Sequence, residues 1–124
     1  MYDRELALEI LEQIHQATQT ILKRFKPIKS CDDFTNSDWG MEKLDSICMQ
    51  LIAIGENLKN FDKVTNHYVL TNYPQIEWKK VKGMRDIITH HYFDLNAEAI
   101  YDVCVNHVEQ MAVVIKKIIN EIKS

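Results

Sequence analysis

Residues 97–122 read AEAIYDVCVNHVEQMAVVIKKIINEI. Ile100, Val103, Cys104, His107, Val108, Met111, Val114, Ile115, Ile118 and Ile122 recur every three or four positions, the period that lines side chains along one face of an α-helix. Asn96 stands just before the stretch, where its short amide can accept from the free N–H groups of a first turn. The spacing predicts one long helix from Ala97 to about Ile122. Its wide apolar face leaves two readings open, a central core helix or a surface covered by a partner. Lys116 and Lys117 cut the apolar run short, and no stretch approaches the roughly 18–20 residues of a membrane span.

Working outward, the same period recurs. Leu6, Ile10, Ile14, Ala17, Ile21 and Phe25 predict a first helix from about Asp3 to Lys26, stopped by Pro27. Ile28 to Ser37 reads as a connector, with Asn36 or Ser37 as the next N-cap. Leu44, Ile47, Cys48, Leu51, Ile54 and Leu58 predict a second helix from about Asp38 to Asn60. Gly55 lies inside it at a cost of about 1 kcal/mol relative to alanine, which a close approach by another helix usually offsets. Val64 to Leu70 reads as a short helix. Tyr73-Pro74 is extended, and a further helix runs from Gln75 or Ile76 to about Phe93. No run alternates at period two. The expected fold is all-α, an up-and-down bundle of four to five helices in a single domain over residues 1–124.

Composition agrees. In 124 residues there are 3 glycines and 2 prolines, few breakers for long helices. Net charge is −3, so a chain that binds nucleic acid must do so through a local basic patch. Cys31, Cys48 and Cys104 are odd in number and form no CxxC pair, and the start is charged rather than leader-like. These features lead us to expect free, buried thiols and a cytoplasmic protein.

The chemistry gathers in Trp78 to Phe93, which holds Lys79, Lys80, Lys82, Arg85, Asp86, His90, His91 and Tyr92. RNA carries its own nucleophile, the ribose 2′-OH. Its cleavage needs a group to move protons, which a histidine can supply near neutral pH, and a cation to hold charge on phosphorus, which the arginine fork matches. The three lysines offer contacts to neighbouring phosphates. On an ideal helix Arg85 and His90 point about 140° apart, while Tyr92 shares the face of Arg85. Three arrangements reconcile the first pair: the helix loosens before His90, the arginine swings round, or a second chain completes the site. Plainer readings stand beside these. Arg85 and His90 can serve a helix terminus, the lysines a solvated face, and His107 the core or an interface. Adjacent histidines diverge by about 100° on a helix, so His90-His91 is a poor metal pair, and no metal or other cofactor is expected.

Arg85-Asp86-x-x-x-His90-x-Tyr92 resembles the R-x4-H-x-Y motif of the HepT-like family in the HEPN superfamily. Ile54-Gly55-Glu56 resembles the I-G-E element of that family's second helix, and Tyr73-Pro74-x-Ile76-x-Trp78 its approach to the motif helix. The resemblance spans Ile54 to Tyr92. It implies an all-helical homodimer whose two motifs line one cleft, and a metal-independent ribonuclease toxin paired with a nucleotidyltransferase antitoxin. By the same resemblance Arg85 would orient phosphate, His90 would act as general acid or base, and Tyr92 would accept AMP from the antitoxin. Asp86 stands where the family often has Asn; it can support the site, but its charge is unfavourable beside phosphate. Glu56 would have a structural role or orient the arginine. An alternative from another class is a non-catalytic helical partner of the nucleotidyltransferase.

Overall fold

The computed structural model describes residues 2–90 and 96–124, and among these every regular element is helical. Helix α1 (Arg4–Phe25) starts where the Asp3 carboxylate accepts from the Leu6 amide at 3.0 Å. It buries Ala7, Ile10, Leu11, Ile14, Ala17, Thr18 and Ile21, close to the expected stripe. The connector contains a short helix, α2 (Asp32–Thr35), which drives Phe34 into the core. Helix α3 (Asp38–Val64) is capped by Ser37, whose hydroxyl accepts from Gly40 N–H at 3.0 Å. Gly40 is obligatory there: a Cβ would lie 1.8 Å from the Asp33 carbonyl oxygen.

Four cross-links tie α1 to its neighbours. Arg24 donates to Ser46 at 2.6 Å and Asn57 to Gln13 at 3.2 Å, so α1 and α3 run antiparallel. The Arg4 guanidinium donates to the Ile122 carbonyl and Lys123 pairs with Glu12 at 3.6 Å, so the first half of α1 lies against the end of the C-terminal helix. Between these rods the chain makes a 3-10 turn (Leu70–Asn72) and then α4 (Trp78–Lys82) and α5 (Met84–His90). Helix α6 (Ala97–Asn106) and α7 (Val108–Lys123) complete an up-and-down bundle. One core cluster draws residues from Ala7 to Ile119. No described helix is long and apolar enough to cross a membrane. All three cysteines are free; Cys48 and Cys104 are buried as expected, but Cys31, in the connector, is only partly so. Burial first, and the nearby Asp45 and Cys48 second, push the Cys48 and Cys104 thiols up to about 12.

The structure corrects four boundaries. Helix α3 continues to Val64 rather than ending near Asn60, and the expected helix over Val64 to Leu70 is a turn followed by the 3-10 element. The expected helix from Ile76 to Phe93 is broken at Gly83, which ends α4; its last residues lie outside the described ones. The expected helix from Ala97 to Ile122 is broken at His107, whose φ of −127° departs from helical values. His107 is exposed there and faces Asp102 at 3.6 Å, so it belongs to neither core nor apolar face. Asn96 does cap α6, accepting from Glu98 and Ala99 at 3.0 and 3.3 Å. The break lets α6 pack on both α1 and α3 while α7 packs chiefly on α1. Ile100, Cys104, Val108, Met111, Val114, Ile115 and Ile118 are all buried within the chain, which makes the stripe a core face.

Candidate active site

The motif helix is positioned by an anchor, a close backbone approach and two ion-pair contacts. The anchor is the segment before α4. Tyr73, Ile76 and Trp78 are all buried. The Trp78 indole donates to the Tyr73 carbonyl at 2.9 Å, and the Tyr73 hydroxyl donates to Glu121 on α7. The tyrosine–proline–isoleucine–tryptophan element is therefore a plug that seats α4 on the bundle. Burial, then the hydrogen bond and charge of Glu121, push the Tyr73 phenol up to about 12.

The close approach is at Gly55. A Cβ there would lie 3.0 Å from the Val81 carbonyl oxygen and 3.4 Å from that of Lys82. Glycine lets the last turn of α4 rest on the α3 backbone, the compensation its mid-helix position called for. One residue on, the Glu56 Oε1 lies 3.5 Å from Arg85 Nε and 3.6 Å from Lys59 Nζ. That oxygen is itself shielded from solvent and makes no direct hydrogen bond among the described residues. Glu56 thus holds the arginine by charge at the edge of α3.

Arg85, Asp86 and His90 are all exposed on α5, whose buried residue is Ile88. On helical geometry Arg85 lies about 60° from the Ile88 direction, toward α3, while His90 lies about 160° from it and faces outward. The helix is α-helical from Met84 through His90, so loosening before His90 is not how the two come together. Within one chain they occupy different faces. Tyr92 lies outside the described residues, as does His91. Among the described residues no group of three or more His, Cys, Asp or Glu side chains gathers as a metal site would require.

The lysines separate. Lys79 and Lys80 are exposed, with Lys80 3.1 Å from Glu77. Lys82 turns inward and meets Asp62 at 2.6 Å. Asp62 is buried and also takes His67 Nδ1 at 2.8 Å. Burial alone would raise the Asp62 carboxyl, but hydrogen bonds and charge from Lys82 and His67 outweigh it and hold the group below its ordinary value. His67 and Asn66 both have positive φ, 64° and 55°, and the His67 amide donates to the Asp62 carbonyl at 2.8 Å. Sequence reasoning does not reach Asp62 or His67. A signal exists: Asp62 follows Leu58 by four residues, so an acidic side chain continues the apolar stripe of α3 and needs a cationic partner.

Comparison with known proteins fits this arrangement. The family model described as "Ribonuclease HepT-like" matches residues 7–118. A relative from Methanocaldococcus jannaschii, named "Putative RNase", is 33% identical over 102 residues, covering 77% of this chain and 81% of its own. Another of the same description, from Caldanaerobacter subterraneus subsp. tengcongensis, is 27% identical over 113 residues, covering 91% and 94%. No solved structure matches. A family match over nearly the whole chain, on an all-helical bundle that presents Arg85 and His90 on one exposed helix, leads to one conclusion: the chain belongs to the HepT-like ribonuclease family and is an endoribonuclease by class.

Proposed function

We propose that the chain is a metal-independent endoribonuclease toxin, silenced when a nucleotidyltransferase antitoxin places AMP on Tyr92. The observation that carries the nuclease chemistry is the exposure of Arg85 and His90 on α5, with Arg85 steadied by Glu56 at 3.5 Å. Arg85 would bind the scissile phosphate and stabilise its developing charge. His90 would move the proton of the 2′-OH or of the leaving oxygen. Because the two occupy different faces, the reading takes a second copy of the chain to complete the cleft. The stripe of α6 and α7 no longer argues for that dimer, since it is buried within the chain. Ile87, exposed on α5 itself, offers an apolar contact instead.

The test is expression of the chain alone. Growth should stop, and His90→Ala should relieve the arrest with the fold intact. The purified protein should cut RNA in EDTA and leave a 2′,3′-cyclic phosphate. Light scattering should report twice the chain mass, and a monomer at micromolar concentration would sink the two-chain cleft. With antitoxin and ATP, intact mass should rise by one AMP in the wild type but not in Tyr92→Phe. A Phe variant that still gains AMP would move the acceptor to Tyr68, which is exposed, since the Tyr73 and Tyr101 hydroxyls are engaged by Glu121 and by the Lys29 carbonyl.

A second reading, a non-catalytic partner of the nucleotidyltransferase, draws on the acidic residues around the arginine. Glu56 pairs with Arg85, and Asp86 follows it in sequence. Both oppose a phosphate there. AMP transfer without any growth arrest or RNA cleavage would favour that reading.

A further inference from the structure

We propose that Asp62 is a positioning residue for Arg85, and that Lys82 works as the other half of an internal latch rather than as a contact to RNA. The proposal rests on the nuclease reading above and adds residues to which that reading gives no such role. The Asp62 carboxylate is buried near the C-terminal end of α3. Lys82 reaches it at 2.6 Å from the last turn of α4, with only a quarter of its side chain exposed (25%). His67 Nδ1 meets the same carboxylate oxygen, Oδ2, at 2.8 Å.

Three facts connect this cluster to the site. Lys82 is the last residue of α4, the chain bends at Gly83, and Arg85 follows in the first turn of α5. The same last turn of α4 rests on Gly55, where the α3 backbone lies too close to admit a Cβ without adjustment. Asp62 and Gly55 therefore grip one turn from two places seven positions apart in sequence, nearly two full turns on one face of α3. A segment held at two points can turn only about the line that joins them, which restricts the direction in which α5 leaves Gly83. That direction puts Arg85 beside Glu56.

The cost of the latch argues that it has a use. A buried carboxylate is expensive to desolvate, and an apolar pair of similar volume would often stabilise as well or better. His67 adds a left-handed backbone conformation, uncommon outside glycine, fixed by two bonds to Asp62. An ion pair specifies one geometry where an apolar contact would tolerate several.

The experiment compares Asp62→Asn, Lys82→Met, Lys82→Arg and the Asn–Met double variant in RNA cleavage, with hydrogen exchange measured on the α5 amides. If the latch positions Arg85, Asp62→Asn and Lys82→Met each lower kcat by about tenfold or more with KM little changed, since a misplacement of about 1 Å can cost a hundredfold. The double variant loses no more than either single one. Lys82→Arg, which keeps the ion pair, restores most of the rate. If Lys82 instead contacts RNA, Lys82→Met raises KM and flattens its salt dependence while Asp62→Asn frees the lysine and lowers KM; that pattern overturns the proposal. Exchange separates this from the nuclease reading. Even in a protein that cuts no RNA, a broken latch speeds exchange of the hydrogen-bonded amides from Ile87 to His90 by about tenfold. Unchanged exchange in folded Asp62→Asn and Lys82→Met proteins refutes the latch whatever the activity.

Discussion

Helix α3 makes two kinds of contact along its length, and they are built differently. Toward the core, where α1 is its main neighbour, it buries Leu44, Ile47, Leu51, Ile54 and Leu58, with two polar contacts to α1 at the margin. Against α4 and α5 it presents Gly55, Glu56 and Asp62, one absent side chain and two carboxylates. Burial of the first kind is non-directional and scales with area, so it contributes most of the stability. The second kind contributes little net free energy but fixes geometry. The bundle is held at one seam and α5 is aimed at the other.

Substitutions at the two seams should therefore fail in different ways. The largest effect is expected in the apolar seam. Ile14→Ala, at a fully buried position (0% exposed), should cost about 2–5 kcal/mol in urea unfolding. A loss below about 1 kcal/mol would mean that burial at this seam is not the main source of stability. Gly55→Ala comes next. Its methyl crowds the Val81 carbonyl at 3.0 Å, but alanine is about 1 kcal/mol better in a helix. We expect a stability change within about 1 kcal/mol and a cleavage loss far larger than that implies. Equal losses of stability and activity would erase the distinction between the seams.

Acid sharpens the comparison further. The Asp62 carboxyl is lowered from the ordinary 3.8 in the folded protein. Its contribution is thus complete above that value and is lost as pH falls through the lower folded-state value. Asp62→Asn should flatten the fall of Tm below about pH 4 and leave the neutral limb parallel to the wild type. An unchanged acid limb would show that the carboxylate is not coupled to folding. The smallest effect belongs to Glu56→Gln. Both Glu56 and Arg85 are about half exposed, so thermal unfolding should shift by less than about 1 kcal/mol.

What could be read from the sequence follows the same division. The stripes of α1 and α3 and the caps at Ser37 and Asn96 are local patterns, and the fold class follows from them. The close approach at Gly55 follows from the cost of a mid-helix glycine. The break at Gly83 does not, because a glycine inside a helical pattern ends the helix only where a distant contact holds the bend, and that contact is on α3. The break at His107 carries no proline or glycine; it serves two packing directions that only the assembled bundle defines. Arg85 and His90 were legible as a motif, whereas Lys82 reads as one of three surface lysines until Asp62 is placed beside it.

The plug before α4 makes the arm visible to spectroscopy. Trp78 is buried at 8% exposure with its indole bonded to Tyr73, whereas Trp39, the other tryptophan, stands 48% exposed near the start of α3. Emission from the first should be blue-shifted and shielded from acrylamide, and emission from the second red-shifted and readily quenched. With Trp39 replaced by Phe, the remaining signal reports whether α4 is seated on the bundle, in a chain carrying no added dye.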